Sequence, residues 1–188
     1  KPNQLIISIV AGIDLRSLEA WLPDNQPIVR CMPNTPAPLG AGMTGLFANS
    51  KVADQQKESA THILKAVGEV AWVNEEAHLD AVTAVSGSGP AYFFLLMENM
   101  IAAGQKLGLD AQLSRKLTEQ TAYGAALMAQ KNEADPGTLR KNVTSPGGTT
   151  EAALNLMLEQ GLPATVIDAL SAAENRAKEL AIEFGAKS

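Results

Sequence analysis

The chain has 188 residues, a formal net charge of −5 and a single cysteine. That length allows one domain or two small ones; the negative balance speaks against a broad nucleic-acid-binding face; and lone Cys31 excludes an internal disulfide framework and fits a reducing compartment. With 46% apolar but only 4% aromatic residues, the core has to be built from Ala, Leu, Val, Ile and Met, which suits closely packed helices. His62 and His78 stand without ligand spacing, so no metal site is expected. No run of about 18 apolar residues is present, so no membrane span is expected, and the opening Lys1-Pro-Asn-Gln lacks the marks of a signal peptide.

Leu5 to Val10 reads as a buried strand turned by Ala11-Gly12. Asp14 can cap a short helix through Leu22, with Leu15, Leu18 and Leu22 on one side. Pro27 to Met32 is a second strand, broken by Pro33-Asn34-Thr35-Pro36 and a Pro/Gly-rich loop to Gly42. Met43 to Ala48 is a third strand. Ala53 to Val67 is a helix with Ala60, Ile63, Leu64 and Val67 inward, ended by Gly68, and Val70 to Val73 is a fourth strand. Strands interleaved with helices give an α/β pattern. The spacing Gly40-Ala-Gly42-Met-Thr-Gly45 matches a dinucleotide fingerprint, but a β-rich run follows it instead of a helix, so it reads as a loop.

From Glu75 helical periodicity takes over, which places a boundary near 74: an α/β part over 1–74 and an all-α part over 75–188. Ser86-Gly-Ser-Gly-Pro90 interrupts, and a helix from Ala91 to Leu107 follows. Its opening, Ala91 to Met97, is apolar on every face, the pattern of a subunit interface or of a central core helix. Asp110 caps a helix to about Lys131, carrying one stripe of Leu113, Leu117, Thr121, Gly124 and Met128 and a second of alanines. A polar loop, a short helix from Thr138, and then Ser145-Pro-Gly-Gly-Thr-Thr150 come next. Proline and paired glycines cannot continue a helix, while Leu154, Met157 and Leu158 share a helical face just beyond. This stretch is therefore a glycine loop entering a helix N-terminus, with Thr149 or Thr150 where an N-cap is wanted. Free N–H groups, a favourable dipole and the hydroxyls of Ser145, Thr149 and Thr150 suit a small anion; a plain polar cap is the other reading. The last helix opens at Pro163 and keeps near-heptad spacing to Phe184.

The block Asn142-Val-Thr-Ser-Pro-Gly-Gly-Thr-Thr-Glu-Ala-Ala-Leu154 resembles the signature of pyrroline-5-carboxylate reductases. Arg30-Cys-Met-Pro-Asn-Thr-Pro36 and Asp80-Ala-Val-Thr-Ala-Val-Ser-Gly-Ser-Gly-Pro-Ala-Tyr92 agree with it, in the family's order and roughly its spacing. The resemblance implies the C-terminal part of a Rossmann-type dinucleotide-binding domain followed by a helical dimerisation domain. It implies reduction of Δ1-pyrroline-5-carboxylate to L-proline with NADPH or NADH by a cytoplasmic homodimer, which in some relatives assembles into a decamer. It assigns the substrate to Ser145, Gly147, Gly148, Thr149, Thr150 and Glu76, with Thr150 and Ser145 serving the chemistry. It assigns the cofactor to Ile9, Val10, Ala11 and Asn142, with Met32 and Asn34 as further contacts. Family members carry the glycine fingerprint ahead of the first strand seen here, so the chain is expected to begin inside that domain. A catalytically inactive dimerisation and anion-binding fragment, or a related small-acid dehydrogenase, are the alternatives. Cys31 is expected to be a packing residue, since no His/Asp partner motif accompanies it.

Overall fold

A computed structural model describes residues 4–185; the opening tripeptide weighed above as part of a signal peptide lies outside them. The chain forms two compact units, one of residues 1–90 with 168–188 and one of 91–167.

The first unit is built on a four-stranded sheet: β1 (Ile6–Ser8), β2 (Ile28–Met32), β3 (Gly42–Ala48) and β4 (Gly68–Trp72), side by side in chain order. β1 and β2 are parallel, as are β3 and β4, and each pair is joined through a helix, α1 (Leu15–Trp21) or α2 (Asp54–Lys65). Parallel neighbours need such a crossover. β2 and β3 are antiparallel, with Cys31 opposite Leu46, because the proline-rich loop between them supplies a return and no helix. Alternation along the strands feeds both faces. Val29, Cys31 and Leu46 pack with Ala60 and Leu64 of α2, while Ile28 packs with Leu15 and Leu18 of α1. Ile63, expected inward, is 57% exposed; Ala60 and Leu64 form the buried edge of α2 alone.

β1 stops at Ser8, two residues short of the expected end. Asp14 caps α1, its carboxylate accepting from Ser17 N at 2.8 Å. The fingerprint-like glycines are structural: Gly40 ends a 3-10 turn, Gly42 opens β3, and Gly45 lies in mid-strand. A Cβ on Gly45 would stand 2.5 Å from Val82 Cγ1, so only glycine lets the next helix approach. That helix, α3 (His78–Val82), runs straight into a π turn over Thr83–Gly87. The Ser-Gly-Ser-Gly interruption expected there is thus a widened helical turn and not a break; Ser88 N reaches back five residues to Thr83 O.

The second unit is helical. α4 (Gly89–Lys106) enters it, followed by α5 (Ala111–Lys131), α6 (Pro136–Asn142), α7 (Thr149–Glu159) and the start of α8 (Leu162–Gly185). Asp110 caps α5, accepting from Leu113 N at 2.9 Å. α4 and α5 meet through small groups: the Ser114 hydroxyl donates to Ile101 O, and a Cβ on Gly104 would collide with Ser114 Oγ at 2.1 Å. Ser114 and Thr118 are buried, whereas Leu113, Leu117 and Met128 of the expected stripe are exposed. Phe93, Phe94, Leu95 and Leu96, on successive positions of α4, are each more than half exposed. None of the buried core hydrophobics lies between 91 and 167. The apolar surface of this unit therefore faces outward in a single copy, which is the signature of an association face.

Candidate functional site

The site residues expected from sequence fall in both units. Ile9, Val10, Ala11, Met32, Asn34 and Glu76 lie in the first; Asn142, Ser145, Gly147, Gly148, Thr149 and Thr150 lie in the second.

In the first unit, β1 is followed by two large apolar side chains that are not covered: Ile9 is 62% and Val10 56% exposed. β1 itself is a half-buried edge strand and not the fully buried one expected, and these uncovered branched residues follow its carboxyl end, where open α/β sheets take their ligands. Val10 and Ala11 also line a small cavity with Arg30 and Met32 of β2, walled by Asp80 of α3 and Thr83 of the π turn. Asn34 is used inside the protein. Its Oδ1 accepts from Met43 N at 2.8 Å and its Nδ2 donates to Ser86 O at 3.1 Å, pinning the loop after β2 to the π turn.

Glu76 is equally engaged. Its Oε1 accepts from Leu15 N, the first N–H of α1, at 2.7 Å, and forms an ion pair with the Arg30 guanidinium. Asp80 shares this neighbourhood: burial holds its carboxyl above the usual range, against the pull of Arg30 and Lys178 and with the push of Glu174 and Glu76. Neither Arg30 nor Asp80, though each opens a block that resembles the family, is among the site residues expected from sequence. An arginine flanked by Val29 and Cys31 in an apolar strand was the available signal for the first. Cys31 is buried, donates to Ser8 O at 3.2 Å, and its thiol is pushed up to about 11 by burial, so it stays protonated and packs.

In the second unit, Asp135 caps α6 by accepting from Gly137 N and Thr138 N, with Pro136 at the first helical position, two residues ahead of the expected start. Asn142 is the last residue of α6. The loop then turns through Gly147 at φ +70°, a left-handed conformation that glycine adopts without strain. Gly148, extended at φ −87° and ψ 173°, is the N-cap of α7. This corrects the expectation for Thr149 or Thr150: both stand inside the first turn, so neither hydroxyl serves as the cap. The first-turn N–H groups have no carbonyl four residues back. The loop already holds one carboxylate, since Glu151 Oε2 accepts from Gly147 N at 2.7 Å. Ser145, Thr149 and Thr150 are exposed.

Comparison with known proteins agrees along the chain. The sequence model of the family described as pyrroline-5-carboxylate reductase dimerisation matches residues 76–180. A pyrroline-5-carboxylate reductase of Pseudomonas aeruginosa is 56% identical over 185 residues, covering 98% of this chain and 68% of the relative. One from Haemophilus influenzae is 45% identical, covering 97% and 68%. Among solved structures, a pyrroline-5-carboxylate reductase from Coxiella burnetii superposes with a TM-score of 0.91 at 49% identity, over 94% of this chain and 65% of that one. A pyrroline carboxylate reductase of Plasmodium falciparum with NADP bound gives 0.86 at 34% identity, over 95% and 68%. The chain thus spans about two thirds of the length of these relatives.

Proposed function

The chain belongs to the pyrroline-5-carboxylate reductase family, and we propose that it works as such an oxidoreductase, reducing the C=N bond of Δ1-pyrroline-5-carboxylate to L-proline in the last step of proline synthesis. The observation that carries the site assignment is the glycine loop, in which Gly148 does the capping and leaves the hydroxyls of Thr149 and Thr150 available in the first turn of α7.

The substrate carboxylate is held by the first-turn N–H groups of Thr149 and Thr150, by the Gly147–Gly148 backbone and by the Ser145 hydroxyl. Each charge-assisted bond of this kind contributes about 1.5–3 kcal/mol. For Gly147 this means exchanging the Glu151 carboxylate it now holds for that of the substrate, and for Gly148 releasing Ser145 O, to which its N–H donates at 3.0 Å. The Thr150 hydroxyl donates to the ring nitrogen. A threonine is too weak an acid to be the ultimate proton source, so it orients the imine and relays a proton to nitrogen. Glu76 is the substrate-side acid.

The cofactor is a pyridine nucleotide, NADPH or NADH. The uncovered Ile9 and Val10 suit one face of a nicotinamide ring, Ala11 and Met32 line the cavity beside Val10, Asn34 shapes the loop after β2, and Asn142 is the cofactor contact that the family resemblance assigns in the second unit. When bound, the reduced ring supplies the hydride that the imine carbon receives. The exposed apolar face of α4 and the stripe of α5 support a homodimer, on which a decamer can build. The lone buried cysteine supports a cytoplasmic, reducing setting; among the described residues no helix is long and apolar enough to cross a membrane.

The test is oxidation of reduced nicotinamide with pyrroline-5-carboxylate by the chain extended to its relatives' length. Turnover that drops in T150A and survives in T150S is expected. A folded protein that binds L-proline yet turns over nothing overturns the reading.

A further inference from the structure

Arg30 is the buried charge that the site as described leaves without a task. It stands in the middle of β2 between two buried neighbours, Val29 and Cys31, and its side chain is only 13% exposed. Arginine is rarely placed so deep unless it is paired. Its partner is Glu76, and the manner of pairing is informative. The Arg30 guanidinium and the Leu15 N–H converge on one oxygen, Oε1, so Oε2 is the atom by which Glu76 can meet a ligand.

A single carboxylate thereby joins three pieces of the first unit: the entry to α3, the first turn of α1 and the middle of β2. The segment Ile9 to Ala11 lies between β1 and α1, and Val10, Ala11 and Arg30 line the same cavity. The groups that face Asp80 here are Arg30 from β2, Glu76 from the approach to α3, and Glu174 and Lys178 from α8; Lys178 is itself paired to Glu174 at 2.7 Å. Arg30 is thus the cation paired to Glu76, and it lines the same cavity as Asp80.

We propose that Arg30 is a positioning residue for imine reduction, holding Glu76 in one orientation with Oε2 toward the substrate. The proposal rests on the reductase reading above. A planar guanidinium fixes the orientation of its partner, whereas an ammonium provides charge without a defined direction. R30K therefore separates position from charge, and it keeps a cation beside Glu76.

The experiment is steady-state kinetics on the extended protein, native and with R30K, E76Q and both. Loss of one oriented, charge-assisted contact predicts a rise of about tenfold or more in KM for pyrroline-5-carboxylate in R30K, with KM for the nucleotide changed by less than about twofold. In the E76Q background R30K should add nothing. An R30K protein with unchanged KM, or one equally impaired with and without E76Q, overturns the proposal while the reductase reading stands. A native protein that does not reduce the imine overturns the reductase reading and this proposal with it.

Discussion

Replacing Asn49 should loosen the first unit by more than a typical surface change. Asn49 follows β3, is 7% exposed, and satisfies four groups at once. Its Oδ1 accepts from Ile28 N at 3.2 Å and Lys51 N at 3.3 Å, and its Nδ2 donates to Gln26 O at 3.0 Å and Glu19 Oε1 at 2.9 Å. Ile28 is fully buried, so in N49A its N–H faces neither the amide nor water. A stranded buried donor costs about 1–3 kcal/mol and each ordinary lost bond about 0.5–1.5. Because Lys51 and Glu19 lie near solvent and recover part of theirs, the sum is about 2–4 kcal/mol. Both tryptophans, Trp21 and Trp72, lie in the first unit, so urea denaturation followed by their fluorescence reads this unit directly. N49D adds a sign test. An aspartate keeps the acceptor for Ile28 N but, when ionised, sets negative oxygen against Gln26 O and Glu19. Folding then favours the protonated form. Relative to the native protein, N49D should be most stable below the ordinary carboxylate range and lose stability as pH rises through its elevated folded value. A loss under about 1 kcal/mol in N49A, or an N49D deficit independent of pH, would refute this reasoning.

Three further outcomes are expected. Burial pushes the Asp14 carboxyl up, but hydrogen bonds from Ser17, aided by Arg16 and Arg30, outweigh it and hold the group below its ordinary value. Its stabilisation is therefore present above that ordinary value and lost as pH falls through the depressed one. D14A should cost about 0.5–2 kcal/mol near neutrality and little in acid, while D14N keeps most of the cap; thermal melts across pH check this. F94E places a charge on the exposed α4 face and should shift the protein toward monomer in sedimentation velocity. S145A should mainly raise KM for the imine, by about tenfold or more, whereas T150A should mainly lower kcat, by up to about 10²-fold, as initial rates will show.

Much of this architecture is legible in sequence because its signals are local. Asp14 and Asp110 stand one residue ahead of α1 and α5 and cap them, and the proline-rich stretch after Met32 ends β2. The glycine loop, too, declares itself through Pro146, Gly147 and Gly148. What escaped depends on backbone angles or distant partners. Gly148 takes the N-cap from the threonines because its extended backbone, and not a hydroxyl, defines the helix edge. Ser86-Gly-Ser-Gly stays helical because the chain can widen one turn and let Gly45 and Gly87 accept close neighbours, which composition cannot reveal. The pairing of Arg30 with Glu76 spans 46 residues, beyond any local rule. Helix α5 inverts the usual reading: Ser114 and Thr118 are buried while Leu113 and Leu117 are exposed, a distribution that periodicity alone does not give.

The measurement that bears most directly on the central claim is L-proline formation from pyrroline-5-carboxylate and reduced nicotinamide by the extended protein. It should be run beside T150A and a double variant at Ser145 and Thr150. Stoichiometric nucleotide oxidation and proline formation, depressed in T150A and further depressed in the double variant, are predicted. Unchanged turnover in both variants would contradict the assignment of the glycine loop as the place where the imine is held and protonated.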